Sequence, residues 1–179
     1  TACYVQQQLG SLKAVAFDIS AACSGFLYAL DYAKHTVGAG AFKNALIIGA
    51  EKLSAFVDWN DRNTCVLFGD GAGAAVILPS VSGDGKILSS QLGTDGAQAE
   101  LLNIPCGGSA CPITLENANE KTAVLAMQGR EVFKHAVNAM KRASIEAIKA
   151  AGLTFQDIKL LIPHQANLRI IDAIVERLE

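Results

Sequence analysis

Apolar positions change period along the chain, and each period predicts an element. From Cys23 onward Phe26, Leu30, Ala33 and Val37 recur at helical spacing, and Gly38 and Gly40 end the run. The longest such pattern predicts a helix over 128–151. Its stripe is Phe133, Ala136, Val137, Met140, Ala147, Ile148 and Ala151, and Gly152 closes it. Leu168, Ile171, Ile174, Val175 and Leu178 predict a last amphipathic helix, and residues 1–9 read as a helix tail closed by Gly10. Strands are expected over 14–19, 45–48, 64–68, 72–78, 87–92 and 158–162, where short apolar, β-rich runs stand between turn residues. Strand, helix and strand over 14–48 make a βαβ unit, so the two strands should be parallel with a right-handed crossover. Residues 79–84 read as a turn. Pro105, Gly107, Gly108 and Pro112 mark 93–122 as an irregular excursion. One strand–Cys–helix unit and one strand–His–helix unit result. The class is α/β.

Length and composition narrow the functions. The 179 residues are 51% apolar and 18% charged, enough for a core and too little charge for a disordered chain. Seventeen acids against fifteen bases argue against nonspecific nucleic-acid binding. No apolar run approaches the roughly 18 residues of a membrane span, and no charged-then-apolar leader opens the chain. The five cysteines are odd in number and scattered, which fits a reducing compartment better than a disulfide framework. The expectation is a soluble intracellular protein.

Chemistry concentrates where strands hand over to helices. Cys23, in Ser20-Ala21-Ala22-Cys23-Ser24-Gly25, sits at a predicted helix start. Unpaired N–H groups and the positive helix end there favour a thiolate, and small neighbours leave room for substrate. A buried structural cysteine fits the same position. His164, in Pro163-His164-Gln165-Ala166-Asn167, lies at the carboxyl edge of a predicted strand, the usual functional edge of open α/β sheets. A Cys and a His at equivalent edges of two similar units fit thiol catalysis. His35 and His135 instead stand four residues after Asp31 and Glu131, as solvated ion partners would.

Gly69-Asp70-Gly71-Ala72-Gly73-Ala74 resembles a nucleotide loop only superficially. A strand follows it, whereas a phosphate loop must open a helix, so a tight turn or a close backbone approach is expected. Cys106 and Cys111 make half a zinc site with nothing to complete it, so no metal is expected. Arg130, Lys134, Lys141, Arg142 and Arg169 form either solvated surface or a basic patch for an acidic partner.

Four segments together resemble the 3-oxoacyl-[acyl-carrier-protein] synthase III family, the initiating condensing enzymes of type II fatty acid synthesis. They are Phe17-Asp18-Ile19-Ser20-Ala21-Ala22-Cys23-Ser24-Gly25-Phe26, Asp58-Trp59-Asn60-Asp61-Arg62-Asn63-Thr64, Phe68-Gly69-Asp70-Gly71-Ala72-Gly73-Ala74 and Pro163-His164-Gln165-Ala166-Asn167-Leu168-Arg169-Ile170. The resemblance implies a thiolase-like layered αβαβα fold with two similar, mostly parallel sheets, here incomplete. Residues 1–84 would be the later part of the N-terminal half and 85–179 the early part of the C-terminal half. Cys23 matches the family's acyl-accepting nucleophile and His164 its decarboxylation histidine. Arg62 matches a contact to the coenzyme A adenine, and Asn167 one in the pantetheine tunnel. Lys134 and Arg169 match carrier-protein docking positions. Arg130 stands where the family often has Asn.

The implied substrates are acetyl-CoA and malonyl-carrier protein, with no cofactor. The implied partners are acyl carrier protein and a second copy in a homodimer, in a bacterial cytoplasm or, alternatively, a plastid stroma. Alternatives are a hydroxymethylglutaryl-CoA synthase, a polyketide-initiating synthase, or a noncatalytic carrier-binding fragment. The family's enolate-stabilising Asn and a later backbone oxyanion donor lie beyond this sequence, and its first βαβα segment lies ahead of it. An internal piece of a protein of roughly 300 residues or more, inactive in condensation by itself, is therefore expected.

Overall fold

A computed structural model describes residues 1–82, 85–118 and 123–178. The expected turn over 79–84 and excursion over 93–122 therefore each run partly outside the described residues. Four helices fall where the apolar period put them: α1 (Ala2–Gln8), α2 (Gly25–Gly38), α3 (Gly129–Ala150) and α4 (Leu168–Val175). The strands are β1 (Ala45–Lys52), β2 (Asp70–Ile77), β3 (Leu102–Asn103) and β4 (Ala126–Met127). β1 and β2 form one two-stranded sheet, and β3 pairs antiparallel with β4.

The chain folds as two compact units, Thr1–Gly49 with Ala74–Asp84, and Ala50–Gly73 with Gly85–Glu179. In the first, α2 buries Ala33 and Val37 on the predicted stripe. In the second, Val137 of α3 packs with Ile170 and Ile174 of α4, and Phe133, Met140 and Leu178 close around them. α3 ends as its sequence requires. Gly152 adopts φ +70°, open to glycine without strain, and Leu153 N–H reaches back to the Ile148 carbonyl at 3.1 Å.

Four of the expected strands are not formed. Residues 14–19 join no ladder, so the parallel βαβ pair is absent among the described residues. That segment turns its groups to neighbouring helices. Asp18 accepts from Ala2 N–H at 3.0 Å, and Phe17 packs edge-on against Tyr32. Residues 64–68 continue a series of turns begun at Asp61. Residues 87–92 are held by Ser89, whose hydroxyl donates to the Ala147 carbonyl at 2.6 Å. Residues 158–162 find no ladder partner, and Leu160 and Ile162 stay about three-quarters exposed. An apolar run becomes a strand only where a neighbour supplies backbone partners. The apolar run 45–48 reads as a fully buried strand, but within β1 only Ile47 of these four is buried.

The reading of the cysteines as unsuited to disulfides, with Cys106 and Cys111 as half a zinc site, is also corrected. Cys106 and Cys111 form a disulfide, with Cα atoms 4.7 Å apart. The intervening turn makes the pairing local: Gly107 takes φ +111°, and its N–H donates to the Cys111 carbonyl at 2.8 Å. No described helix is long and apolar enough to cross a membrane.

Candidate active site

Cys23 is exposed in this chain, where a buried structural cysteine was the alternative expectation. It lies in a 3-10 turn, Ala22–Ser24, that runs into α2. Ser24 N–H donates to the Ala21 carbonyl at 3.0 Å, closing a turn with Ala22 and Cys23 at its centre. Ala22 stands at φ +44°, the one non-glycine residue at positive φ among the described residues. That conformation costs an alanine about 1 kcal/mol, and such strain gathers at functional sites. Composition gave no hint of it. The only trace in sequence is the row of small residues that lets the backbone bend so sharply.

The other candidates belong to the second unit. His164 is exposed in the loop before α4. That loop is held by Gln165, whose side-chain amide donates to the Pro163 carbonyl at 3.1 Å, and by Asn167. Asn167 is the N-cap of α4, its Oδ1 accepting from Ile170 N–H at 3.0 Å. The same residue that ends the loop therefore fixes the helix carrying Arg169. Arg169 is exposed in the first turn of α4, where no acid accompanies it. A cation at the positive end of a helix is disfavoured by the dipole, so helix stability does not explain it.

Lys134 stands on α3, two-thirds exposed, with its Nζ 3.6 Å from Glu131. α3 and α4 pack through Val137, Ile170 and Ile174, so the two helices bearing Lys134 and Arg169 are fixed to each other. Arg130 is exposed at the start of α3. His35 and His135 lie 3.5 and 4.0 Å from Asp31 and Glu131, on exposed helix surface as expected of ion partners.

Arg62 is exposed in a run of turns. The run repeats Asp-x-Asn, in Asp58-Trp59-Asn60 and Asp61-Arg62-Asn63, a pattern that could have been read as tandem side-chain turns. In the first, Asp58 Oδ1 accepts from Asn60 N–H at 2.9 Å; in the second, Asp61 Oδ1 accepts from Asn63 N–H at 3.0 Å. The Asn63 N–H, then the Thr64 hydroxyl, hold the Asp61 carboxyl below the usual carboxylate range. The glycine segment lies mostly within β2, which begins at Asp70, instead of forming the expected tight turn, and at Gly71 an added Cβ would meet Glu51 Oε1 at 3.2 Å. That contact is with the flexible end of a side chain, and an added Cβ at Gly69 or Gly73 would meet nothing within 4 Å, so the expected close backbone approach is not seen at these glycines.

Known proteins place this geometry. The family model for 3-oxoacyl-[acyl-carrier-protein] synthase III matches residues 17–96, and the model for the C-terminal part of the same family matches residues 148–179. The beta-ketoacyl-[acyl-carrier-protein] synthase III of Caldanaerobacter subterraneus is 53% identical over 179 residues, covering 100% of this chain and 54% of the relative. The crystal structure of the synthase III of Thermus thermophilus matches with a TM-score of 0.87 at 50% identity, over 99% of this chain and 53% of that one. That of Aquifex aeolicus matches with a TM-score of 0.86 at 46% identity, over 99% and 52%. The chain thus spans about half the length of the curated relatives it matches, and its α/β fold is of their thiolase-like class. With two models of one family on the sequence, and likeness to relatives from end to end, the chain belongs to the 3-oxoacyl-[acyl-carrier-protein] synthase III family.

Proposed function

We propose that this chain carries the acyl-accepting cysteine and the decarboxylation histidine of an initiating condensing enzyme. The observation that supports this most is the exposed Cys23 at the start of α2, next to the strained Ala22. A structural cysteine needs neither exposure nor strain.

In the first half-reaction the Cys23 thiolate attacks the carbonyl carbon of acetyl-CoA. The C–S bond to coenzyme A breaks, coenzyme A leaves as a thiol after taking a proton, and an acetyl-Cys23 thioester remains. In the second, malonyl-carrier protein loses carbon dioxide and the electron pair of the broken C–C bond forms an enolate. The enolate carbon attacks the acetyl group, and the Cys23 thiolate leaves, releasing the 3-oxoacyl-carrier protein. Decarboxylation supplies the carbon nucleophile, so the scheme calls for no metal or redox cofactor. His164 donates to the malonyl thioester oxygen as negative charge develops. Losing one such donor costs on the order of 3 kcal/mol, roughly a hundredfold in rate.

Arg62 holds the adenine end of coenzyme A, and Asn167 lines the path of the pantetheine arm. Lys134 and Arg169 receive the acidic carrier protein. Arg169 suits that role because its charge opposes its own helix dipole, so an external anion relieves it. The sequence divides at 84–85 into parts of two similar halves, and the full protein works as a homodimer in the cytoplasm.

The test is incubation of a protein of the relatives' full length carrying this chain with acetyl-CoA and malonyl-carrier protein. Acetoacetyl-carrier protein, free coenzyme A and carbon dioxide in equal amounts are expected. Coenzyme A release without condensation, or binding without turnover, would contradict the reading.

A further inference from the structure

The turn that carries Arg62 is tied down by a residue the proposed reaction does not use. Asp61 Oδ1 accepts from Asn63 N–H at 3.0 Å and from the Asn63 side-chain amide at 2.9 Å. Its Oδ2 accepts from the Thr64 hydroxyl at 3.0 Å. Thr64 is 1% exposed and is the only buried polar residue among the described residues. The backbone repeats the tie, because the Asp61 carbonyl accepts from Thr64 N–H at 3.2 Å and Cys65 N–H at 3.0 Å. Arg62 is thus the exposed centre of a loop whose two sides are bonded to one carboxylate, with a buried hydroxyl as the fixed end.

We propose that Asp61, anchored through Thr64, is the positioning residue for Arg62 and so sets how tightly coenzyme A is held. The inference rests on reading Arg62 as the contact to the adenine end. A long arginine side chain loses several rotamers on binding, and a backbone already fixed beneath it leaves only that loss to be met. Without the carboxylate, the backbone must also be ordered when the ligand arrives. Asp61 itself touches no substrate. The Asp61→Ala protein still offers the Thr64 hydroxyl a partner, since that hydroxyl also lies 3.2 Å from the Asp61 carbonyl. The substitution therefore loosens the turn without orphaning a buried group.

Calorimetric titration with coenzyme A of a protein of the relatives' full length that carries this chain tests this. Asp61→Ala is expected to weaken binding about tenfold, a loss of about the size of one charge-assisted hydrogen bond. Asp61→Asn keeps an oxygen facing the Asn63 N–H and should restore binding to within about twofold. In an Arg62→Ala background, Asp61→Ala should add nothing, because a positioning residue acts only through the side chain it positions. Where Asp61→Ala fails to fold, Thr64→Val cuts the same tie from the buried side and should cost about threefold. Unchanged binding in Asp61→Ala or Thr64→Val beside a weakened Arg62→Ala overturns the positioning role. So does a loss that multiplies fully onto Arg62→Ala. Binding by Arg62→Ala as tight as by the parent overturns the reading of Arg62 instead, so the two failures are distinct.

Discussion

Ser54 gives the Asp70 carboxylate two hydrogen bonds, one from its backbone N–H at 2.8 Å and one from its hydroxyl at 2.6 Å. This clamp ties the turn after β1 to the first residue of β2, in the glycine segment that superficially resembles a phosphate loop. An anionic carboxylate occupying these donors suits a structural turn and opposes a phosphate.

The clamp gives stability a pH dependence with a defined sign. The Ser54 hydroxyl, then its N–H, hold the Asp70 carboxyl below its ordinary range, and the Thr154 hydroxyl and N–H do the same for Asp157. A carboxylate whose folded pKa is depressed contributes stability that is present above its unfolded value and lost as pH falls through the folded one. Thermal midpoints should therefore hold steady down to about pH 4 and decline below it. In Asp70→Asn that decline should be shallower and the midpoint at neutral pH lower. An unchanged acid profile would contradict the clamp.

The contact between α3 and α4 fixes the helix that Asn167 caps. Ile174 is 1% exposed in that cluster. Ile174→Ala should cost about 2–5 kcal/mol in urea unfolding, whereas the exposed Ile162→Ala should cost well under half of that. Equal losses would place the core elsewhere.

Thiol counting tests the disulfide. Under denaturing, non-reducing conditions alkylation should modify three cysteines, Cys3, Cys23 and Cys65, and all five after reduction. Cys106→Ser should lower stability by about 2 kcal/mol, as expected for a short closed loop. Five alkylations before reduction would contradict the pairing.

Reversing two charges, Lys134→Glu with Arg169→Glu, should weaken use of malonyl-carrier protein while sparing acetyl transfer from coenzyme A to Cys23. The defect should shrink as salt rises, because charges at a binding rim act through screened attraction. Equal losses in both half-reactions would point to a folding defect.

The helices were legible in the sequence because their signal is local. Val137 and Ile174 lie on the predicted apolar stripes, and Gly152 ends α3 at the predicted place, but α4 buries Ile170, which its predicted stripe left out, and exposes Leu168 and Val175. The strands were less so. Residues 14–19 and 158–162 have strand composition, but a strand exists only through partners that composition does not name. The Cys106–Cys111 pairing escaped for a related reason, since spacing alone does not reveal that Gly107 folds the chain back on itself. The exposure of Cys23 fits its small neighbours, whereas the bend at Ala22 is a backbone property that no residue type announces. Residue type does not single out Asp61, because what distinguishes it is its hydrogen bonds to Asn63 and Thr64.

The most direct measurement is peptide mass mapping after treatment with acetyl-CoA, in a protein of the relatives' full length that carries this chain. One acetyl group should appear, on the peptide containing Cys23. Of the other four cysteines, Cys106 and Cys111 are paired, Cys65 is half-buried, and Cys3 lies on α1 with its sulfur 3.8 Å from the Ala16 carbonyl. Cys23→Ala should abolish the label. An acetyl group on another cysteine, or label that survives Cys23→Ala, would contradict the assignment of Cys23 as the nucleophile.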